Sequence, residues 1–124
     1  MQAMPMPVPF DKLPLVVGVT GHRNVAQGDE PELRKRFGEI LEQLQRAYPS
    51  TPLLVMSSLA AGSDTFAAEE ALDRNVPVLA ALPMAVETYE RDFTPAQLAR
   101  FTAVRARCWD TVVAASASTD PAER

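Results

Sequence analysis

LPLVVGVTGHR, residues 13–23, predicts a buried β-strand that runs into a loop of small and polar residues. Its nearly continuous apolar and β-branched character is typical of a strand in a parallel sheet. A second stretch, PLLVMSSLAAGSD at residues 52–64, repeats the same pattern. Loops that follow parallel strands meet at the carboxyl edge of the sheet, where the ligands of such folds bind. The two loops therefore predict one shared site.

The remaining sequence alternates between strand and helix patterns. Four apolar runs have strand character, at about residues 15–20, 53–57, 76–82 and 109–115. Apolar residues at three- and four-residue spacing predict helices between them, over about 31–48, 63–74 and 95–107, with a short helical turn over 86–93. The order β-α-β-α-β-α-β predicts an α/β fold, a Rossmann-like open parallel sheet of about four strands with helices on both faces.

Local signals mark where the helices begin and end. Pro31 fits the first turn of the first helix, and Asn75 suits a left-handed residue that terminates the second. Thr94-Pro95-Ala96-Gln97 has the pattern of a capping box, with proline at the first helical position. These signals support the predicted boundaries.

The chain of 124 residues suits one domain. We predict an extended arm over residues 1–12, a single Rossmann-like domain over 13–116 and a flexible tail over 117–124. No apolar run approaches the ~20 residues that span a bilayer, and the start lacks the pattern of a secretory signal, so we expect a cytoplasmic protein without a membrane partner. The uncovered edges of a small sheet favour a homo-oligomer or a fragment of a longer protein.

The composition of the chain excludes several kinds of functional site. A single cysteine and a single histidine exclude an internal disulfide and a multi-histidine metal site, although a carboxylate site stays possible. We predict no metal and no resident cofactor. The net charge of −4 argues against a broad nucleic-acid surface, which usually needs a basic excess.

The first loop offers four candidate binding residues. Thr20 carries a hydroxyl, Gly21 lets the backbone turn closely past a ligand, and His22 can donate a hydrogen bond or act as a general acid. Arg23 offers a planar guanidinium suited to phosphate. The alternative is that Gly21 only makes the turn, His22 is solvated, and Arg23 pairs with an acidic neighbour.

The second loop offers Ser57, Ser58, Gly62 and Asp64. Its small residues allow close approach, and the free N–H groups of the following helix favour an anion. Asp64 either caps that helix or accepts a hydrogen bond from a ribose hydroxyl. Together the two loops predict a phosphate or nucleotide site.

Several catalytic signatures are absent from the sequence. It contains no G-x-x-x-x-G-K-[ST] motif, no G-x-G-x-x-G motif and no G-x-S-x-G motif. Tyr89 is either a wall of the site or a core residue, and Glu69 and Glu70 are interpreted as a solvated helix face within reach of the site.

The two loop motifs, V-x-G-V-T-G-H-R and S-S-L-A-A-G-S-D-T-F-A-A-E-E-A-L, resemble the SLOG superfamily of Rossmann-like domains over about residues 14–115. This superfamily is related to the LOG (lysine-decarboxylase-like) proteins and to DNA-processing protein A. The second motif is similar to the S-G-x-A-x-G-x-D stretch of DNA-processing protein A, with Ser58 in place of the glycine. The resemblance implies that a nucleotide or nucleotide-derived ligand binds at the strand ends.

The resemblance does not carry catalytic residues to this chain. LOG enzymes hydrolyse the N-glycosidic bond of nucleoside 5′-monophosphates with a P-G-G-x-G-T-x-x-E motif that this sequence lacks. In related T-G-H-R proteins a G-G-T segment follows a later strand. The chain is therefore interpreted as a fragment or a minimal form.

Four functions follow as hypotheses. The leading one is a sensor domain that binds a small-molecule nucleotide ligand. The alternatives are a LOG-like hydrolase with Asp64, Glu69 or Glu70 as its acid, a single-stranded-DNA-binding module, and a protein interaction domain with empty loops.

Overall fold

A computed structural model describes residues 12–20 and 27–114 of the chain. Its four strands are β1 (Leu15–Gly18), β2 (Leu53–Ser57), β3 (Val78–Leu82) and β4 (Asp110–Val113). Its helices are α1 (Glu30–Ala47), α2 (Ser63–Asp73), α3 (Val86–Glu90) and α4 (Pro95–Arg107), with one turn of 3-10 helix at Gln27–Asp29. None of these helices is long and apolar enough to cross a membrane.

The four strands form one sheet in which every pair is parallel and the order is β1-β2-β3-β4. Val17 lies beside Val55, and Val55 lies beside Val78. The α/β class and the open parallel sheet of four strands are therefore confirmed. β3 begins two residues later than predicted because the Val76 N–H donates to the Ala71 carbonyl of α2 and Pro77 has no N–H to donate.

The described helices cover one face of this sheet. Alternate residues of β2 and β3, such as Val55 and Val78, share a single core cluster with Leu41 of α1, Ala68 of α2 and Phe101 of α4. The prediction of helices on both faces differs from this arrangement. Right-handed crossovers between strands that follow one another in the sheet carry each helix to the same side, and only a reversal of strand order would change sides.

The end of α2 shows why the chain turns where it does. Asn75 has a φ of 62°. Its N–H donates to the Leu72 carbonyl at 3.0 Å, and the Val76 N–H donates to the Ala71 carbonyl at 2.8 Å. These two bonds are those of a Schellman motif. The predicted left-handed terminator is confirmed.

The capping box of α4 is also confirmed. The Gln97 N–H donates to Thr94 Oγ1 at 3.2 Å, and the Thr94 N–H donates to Gln97 Oε1 at 3.0 Å. Below this helix, Tyr89 packs edge-on against Phe93 and Phe101, with ring centroids 5.2 and 5.8 Å away. Tyr89 is therefore a core residue, one of its two predicted roles.

Candidate functional site

The described residues that directly follow β1, Val19 and Thr20, lie beside the end of β2. The Val19 N–H donates to the Met56 carbonyl at 3.0 Å, which extends the pairing of the two strands beyond Gly18. A cavity of about 440 Å³ opens at this carboxyl edge of the sheet, and we call it the strand-end cavity. It is lined by Gly18, Val19, Thr20, Met56, Ser57, Ser58 and Ala81.

The cavity brings together three of the eight predicted site residues, Thr20, Ser57 and Ser58. Gly62 and Asp64 lie at the start of α2 and are not among its lining residues. Gly21, His22 and Arg23 lie outside the described residues. The structure therefore describes the β2 side of the predicted site and only the first residue of the β1 side.

Two serine hydroxyls organise the second loop. Ser57 Oγ donates to the Asp64 carbonyl and accepts from the Leu59 N–H, each at 3.0 Å. Ser58 Oγ donates to Asp64 Oδ2 at 2.7 Å and accepts from the Ala60 N–H at 3.3 Å. The N–H groups of Leu59 and Ala60 thus bind the protein's own hydroxyls, which leaves fewer amides for an anion than the sequence suggested.

The first turn of α2 is closed in the same way. Gly62 precedes the helix with a φ of 97°, a conformation that glycine adopts without strain. The Thr65 N–H donates to the Ala60 carbonyl at 3.2 Å, and Thr65 Oγ1 donates to the same carbonyl at 2.7 Å. Gly62 therefore has a structural role in the turn, independent of any ligand.

Asp64 is held inside the fold. Its residue is 8% exposed, Oδ2 accepts from Ser58 Oγ, and Oδ1 is buried without a hydrogen-bond partner. It is not the helix cap, because Gly62 occupies that position and makes no side-chain cap bond. Its place in the first turn still lets the carboxylate interact favourably with the helix dipole.

The described lining of the cavity lacks the positive charge that a phosphate site usually has. All seven described lining residues are uncharged, so the polar groups they offer are hydroxyls and backbone. Any cationic partner for a phosphate must come from residues other than these. Arg23 is the predicted candidate.

Glu69 and Glu70 do not form the solvated face expected of them. Glu69 Oε2 accepts from Arg100 Nε at 2.8 Å. Glu70 accepts from Arg34 Nε at 3.0 Å and from Arg74 Nε at 2.7 Å. Both side chains are mostly buried, and both serve ion pairs between helices rather than a reacting group. Neither glutamate lines the strand-end cavity.

These pairs belong to a larger set that the sequence analysis missed, which we call the interhelical ion-pair network. It joins α1, α2 and α4 through Arg34, Arg74, Arg100 and Arg107 with Glu30, Glu42, Glu69, Glu70 and Asp73. Charges spaced along three separate helices give no sign of pairing until the helices are docked. Within the described part of the chain, no group of three or more His, Cys, Asp or Glu residues is placed to hold a metal ion.

No protein-family model matches the chain, and no curated protein matches its sequence. The resemblance to the SLOG superfamily thus rests on the two loop motifs.

Proposed function

We propose that this protein binds a nucleotide or a nucleotide derivative in the strand-end cavity and acts as a sensor domain. The observation that carries the proposal is the shared cavity itself, in which Thr20 lies together with Ser57 and Ser58. Its volume of about 440 Å³ falls within the ~300–1,000 Å³ typical of small-ligand sites. We expect this activity in the cytoplasm.

The roles follow from the chemistry of the lining groups. Thr20 presents a hydroxyl that can donate to a phosphate or sugar oxygen. The proton of Ser58 Oγ is given to Asp64 Oδ2, so this oxygen is left to accept from a sugar hydroxyl. Arg23 would neutralise the phosphate through a charge-assisted hydrogen bond. Gly18 adds no side chain to the cavity, and no atom of the described residues lies within 4 Å of the position that a Cβ would take there.

Binding is tested first with nucleoside 5′-monophosphates and inorganic phosphate in a thermal-shift screen. A ligand at 100 times its Kd stabilises a protein by about 2.7 kcal/mol, so a match raises the Tm clearly. The best ligand is then titrated by calorimetry against the wild-type protein and two variants.

Arg23→Ala should lower the affinity at least tenfold, because a hydrogen bond to a charged group contributes about 1.5–3 kcal/mol. Arg46→Ala is the matched control: Arg46 is exposed in the last turn of α1, and that helix ends just before the amino end of β2. Equal losses in both variants, or no Tm rise with any nucleotide, would contradict the proposal.

Gly18→Val tests the cavity without removing a charge. Valine suits a strand, and its side chain would project into open space, so we expect a Tm at or above that of the wild type. The same side chain would fill part of the strand-end cavity and weaken nucleotide binding. A variant that binds as tightly as the wild type would place the ligand elsewhere.

The hydrolase alternative is tested in the same samples. With Glu69 and Glu70 held by arginines, Asp64 is the acid left to it among the three residues first considered. Release of free base from any nucleoside 5′-monophosphate would replace the sensor function by catalysis. A gel shift with single-stranded DNA at low salt decides the nucleic-acid alternative.

The two outer strands of the described sheet each have one edge without a described partner strand. β1 pairs only with β2, and β4 pairs only with β3, among the strands that the structure describes. Open edges invite further pairing. We therefore propose a homo-oligomer or a longer parent protein, and light scattering at several concentrations distinguishes the two.

A further inference from the structure

The sheet face opposite the helices is apolar, and we call it the open face. Strand residues alternate between the two faces of a sheet, so the residues that do not enter the core cluster share the other side. On the open face these are Val16, Leu54, Met56, Leu79, Ala81 and Val112. Asp110 and Gly18 complete it.

No described helix packs on this face. All described helices that contribute to the core cluster meet it from the other side. Val16 and Val112 on the outer strands remain 46% and 45% exposed, whereas Leu54 on β2 is 6% exposed. The other central residues of this face, Met56, Leu79 and Ala81, are partly buried. A contiguous apolar patch on a soluble protein usually marks a contact surface, so the open face calls for a covering element.

A second copy of the chain is a poor fit to this face. Four strands of four or five residues span roughly 15 Å by 15–20 Å, which is on the order of 250–300 Å² in projection. A standard stable interface takes about 800 Å² from each partner. The open face alone is thus too small for a stable dimer, whereas a segment of the same chain avoids most of the entropy cost of association.

The N-terminal segment has the composition for this contact. Residues 1–11, MQAMPMPVPFD, carry no charged side chain before Asp11. From Met4 to Phe10, apolar side chains alternate with Pro5, Pro7 and Pro9, so an extended chain presents all four apolar side chains on one side. Prolines favour such an extended chain but cannot donate to a strand ladder. The segment therefore suits packing on a face better than pairing inside the sheet.

Its connection and length also fit. The segment leads through residues 12–14 directly into β1, at the amino end of the sheet. Seven extended residues reach roughly 23 Å, enough to cross four strands spaced about 4.8 Å apart. The other terminal segment, residues 115–124, is ASASTDPAER, whose polar and charged side chains do not match an apolar surface.

We propose that residues 4–10 pack across the open face and complete the core on that side of the sheet. Met4, Met6, Val8 and Phe10 would bury the side chains of the open face that remain exposed, Val16 and Val112 among them.

The contact is intramolecular and does not rest on the proposed function. Gly18, Met56 and Ala81 belong both to the open face and to the strand-end cavity, so the segment and a nucleotide would lie next to each other at that end of the face.

The chain carries its own probes for a test. It has five methionines, of which Met4 and Met6 belong to the segment, Met56 lies on the open face, and Met84 packs against the core on the helix side. In the full-length protein with ¹³C-methyl methionine and no nucleotide, we expect nuclear Overhauser contacts from Met56 to Met4 or Met6. Met84 should show none with them.

The opposing outcomes are distinct. Methyl signals of Met4 and Met6 at random-coil positions, without contacts to Met56, would overturn the proposal. Contacts that occur only between differently labelled molecules would replace it with a dimer. Because this measurement uses the wild-type chain, it does not depend on whether a variant folds.

A variant gives a second readout. Met6→Asp with Val8→Asp should lower the Tm by several degrees and increase binding of a hydrophobic dye, since charged side chains would leave the open face bare. Ser118→Asp in the polar C-terminal segment is the matched control and should change neither. Equal Tm values for both variants and the wild type would contradict the packing.

Discussion

Single side chains tie the helices of this protein together. Arg100 of α4 donates through Nη2 to Glu30 of α1 at 2.6 Å and also bonds Glu69 of α2, and its guanidinium lies 4.8 Å from the centre of the Phe66 ring. Hydrogen bonds, first to Glu69 and also to Glu30, outweigh burial and raise the pKa of Arg100 above its ordinary value. One residue therefore joins three helices.

Arg100→Met should lower the free energy of unfolding by about 1 kcal/mol or more, because it breaks two ion pairs and a cation–π contact. Arg36→Met is the matched control: Arg36 makes one exposed pair with Glu32 on its own helix, and solvent screening leaves such a pair little effect on stability. Urea unfolding measures both. Equal losses would show that the interhelical ion-pair network adds nothing beyond ordinary surface pairs.

Asp73 gives the network a pH dependence. Hydrogen bonds from Arg107 and Arg34 lower the pKa of its carboxyl below the ordinary value. A lowered folded-state pKa stabilises the fold above the unfolded value of about 3.9, and this contribution is lost as pH falls through the folded pKa. Asp73→Asn should thus be less stable than the wild type at pH 7, and the difference should vanish in strong acid. A difference that stays constant with pH would exclude an ionic origin.

The helix ends are the features of the fold that the sequence predicts most accurately. The Thr94–Gln97 capping box and the Asn75 terminator depend on residues within a few positions of each other, so their signals are local. The interhelical ion-pair network and the one-sided placement of the helices depend on partners 30 or more positions away in the chain. Sequence patterns report the first kind of interaction and not the second.

The candidate site also has features that the sequence predicts and features that it does not. That the carboxyl ends of β1 and β2 are neighbours follows from consecutive parallel strands, and the structure confirms it for the residues up to Thr20. That Ser57 and Ser58 would take up the amides of Leu59 and Ala60 depends on the path of the loop, including a φ of 59° at Leu59. Such a path has no signature in residue types, because leucine seldom adopts a positive φ.

Thr94→Ala should cost about 1 kcal/mol, because the cap bond to the Gln97 N–H is lost. Thr102→Ala, at an exposed position within the same helix, is the control and should be neutral or slightly stabilising, since alanine is the better helix former. Thermal unfolding separates the two. Similar effects would mean that α4 does not depend on its cap.

Asn75→Ala should destabilise the protein by about 1 kcal/mol, since an alanine Cβ resists the left-handed conformation. Asn75→Gly should be neutral or stabilising, because glycine adopts that conformation freely. Chemical unfolding of the two variants gives the comparison. A loss with glycine as large as that with alanine would assign the asparagine side chain a role of its own.

At the scale of the whole molecule, stability is concentrated in the two central strands. Val55, Val78 and Ala80 are fully buried, whereas Asp110, Val112 and Val113 of β4 are exposed. Local opening is easiest where few apolar contacts must be broken. Four of the seven residues that line the strand-end cavity, Met56, Ser57, Ser58 and Ala81, belong to β2 and β3 or directly follow β2, so most of its described lining comes from the more stable strands.

Amide hydrogen exchange should reflect this gradient. We expect the slowest exchange in β2 and β3 and markedly faster exchange in β4, because β4 pairs on one side only among the described strands. Mass spectrometry of peptides from each strand measures it. Protection of β4 equal to that of β3 would indicate that another chain or segment covers its outer edge.

The order of strands in the sheet matches their order along the chain. Each new strand therefore finds its partner in the unit made just before it, and loop closure spans one helix at a time. Short separations between partners favour rapid formation. A chain leaving the ribosome could add β2, β3 and β4 in turn, without waiting for its last residues to be synthesised.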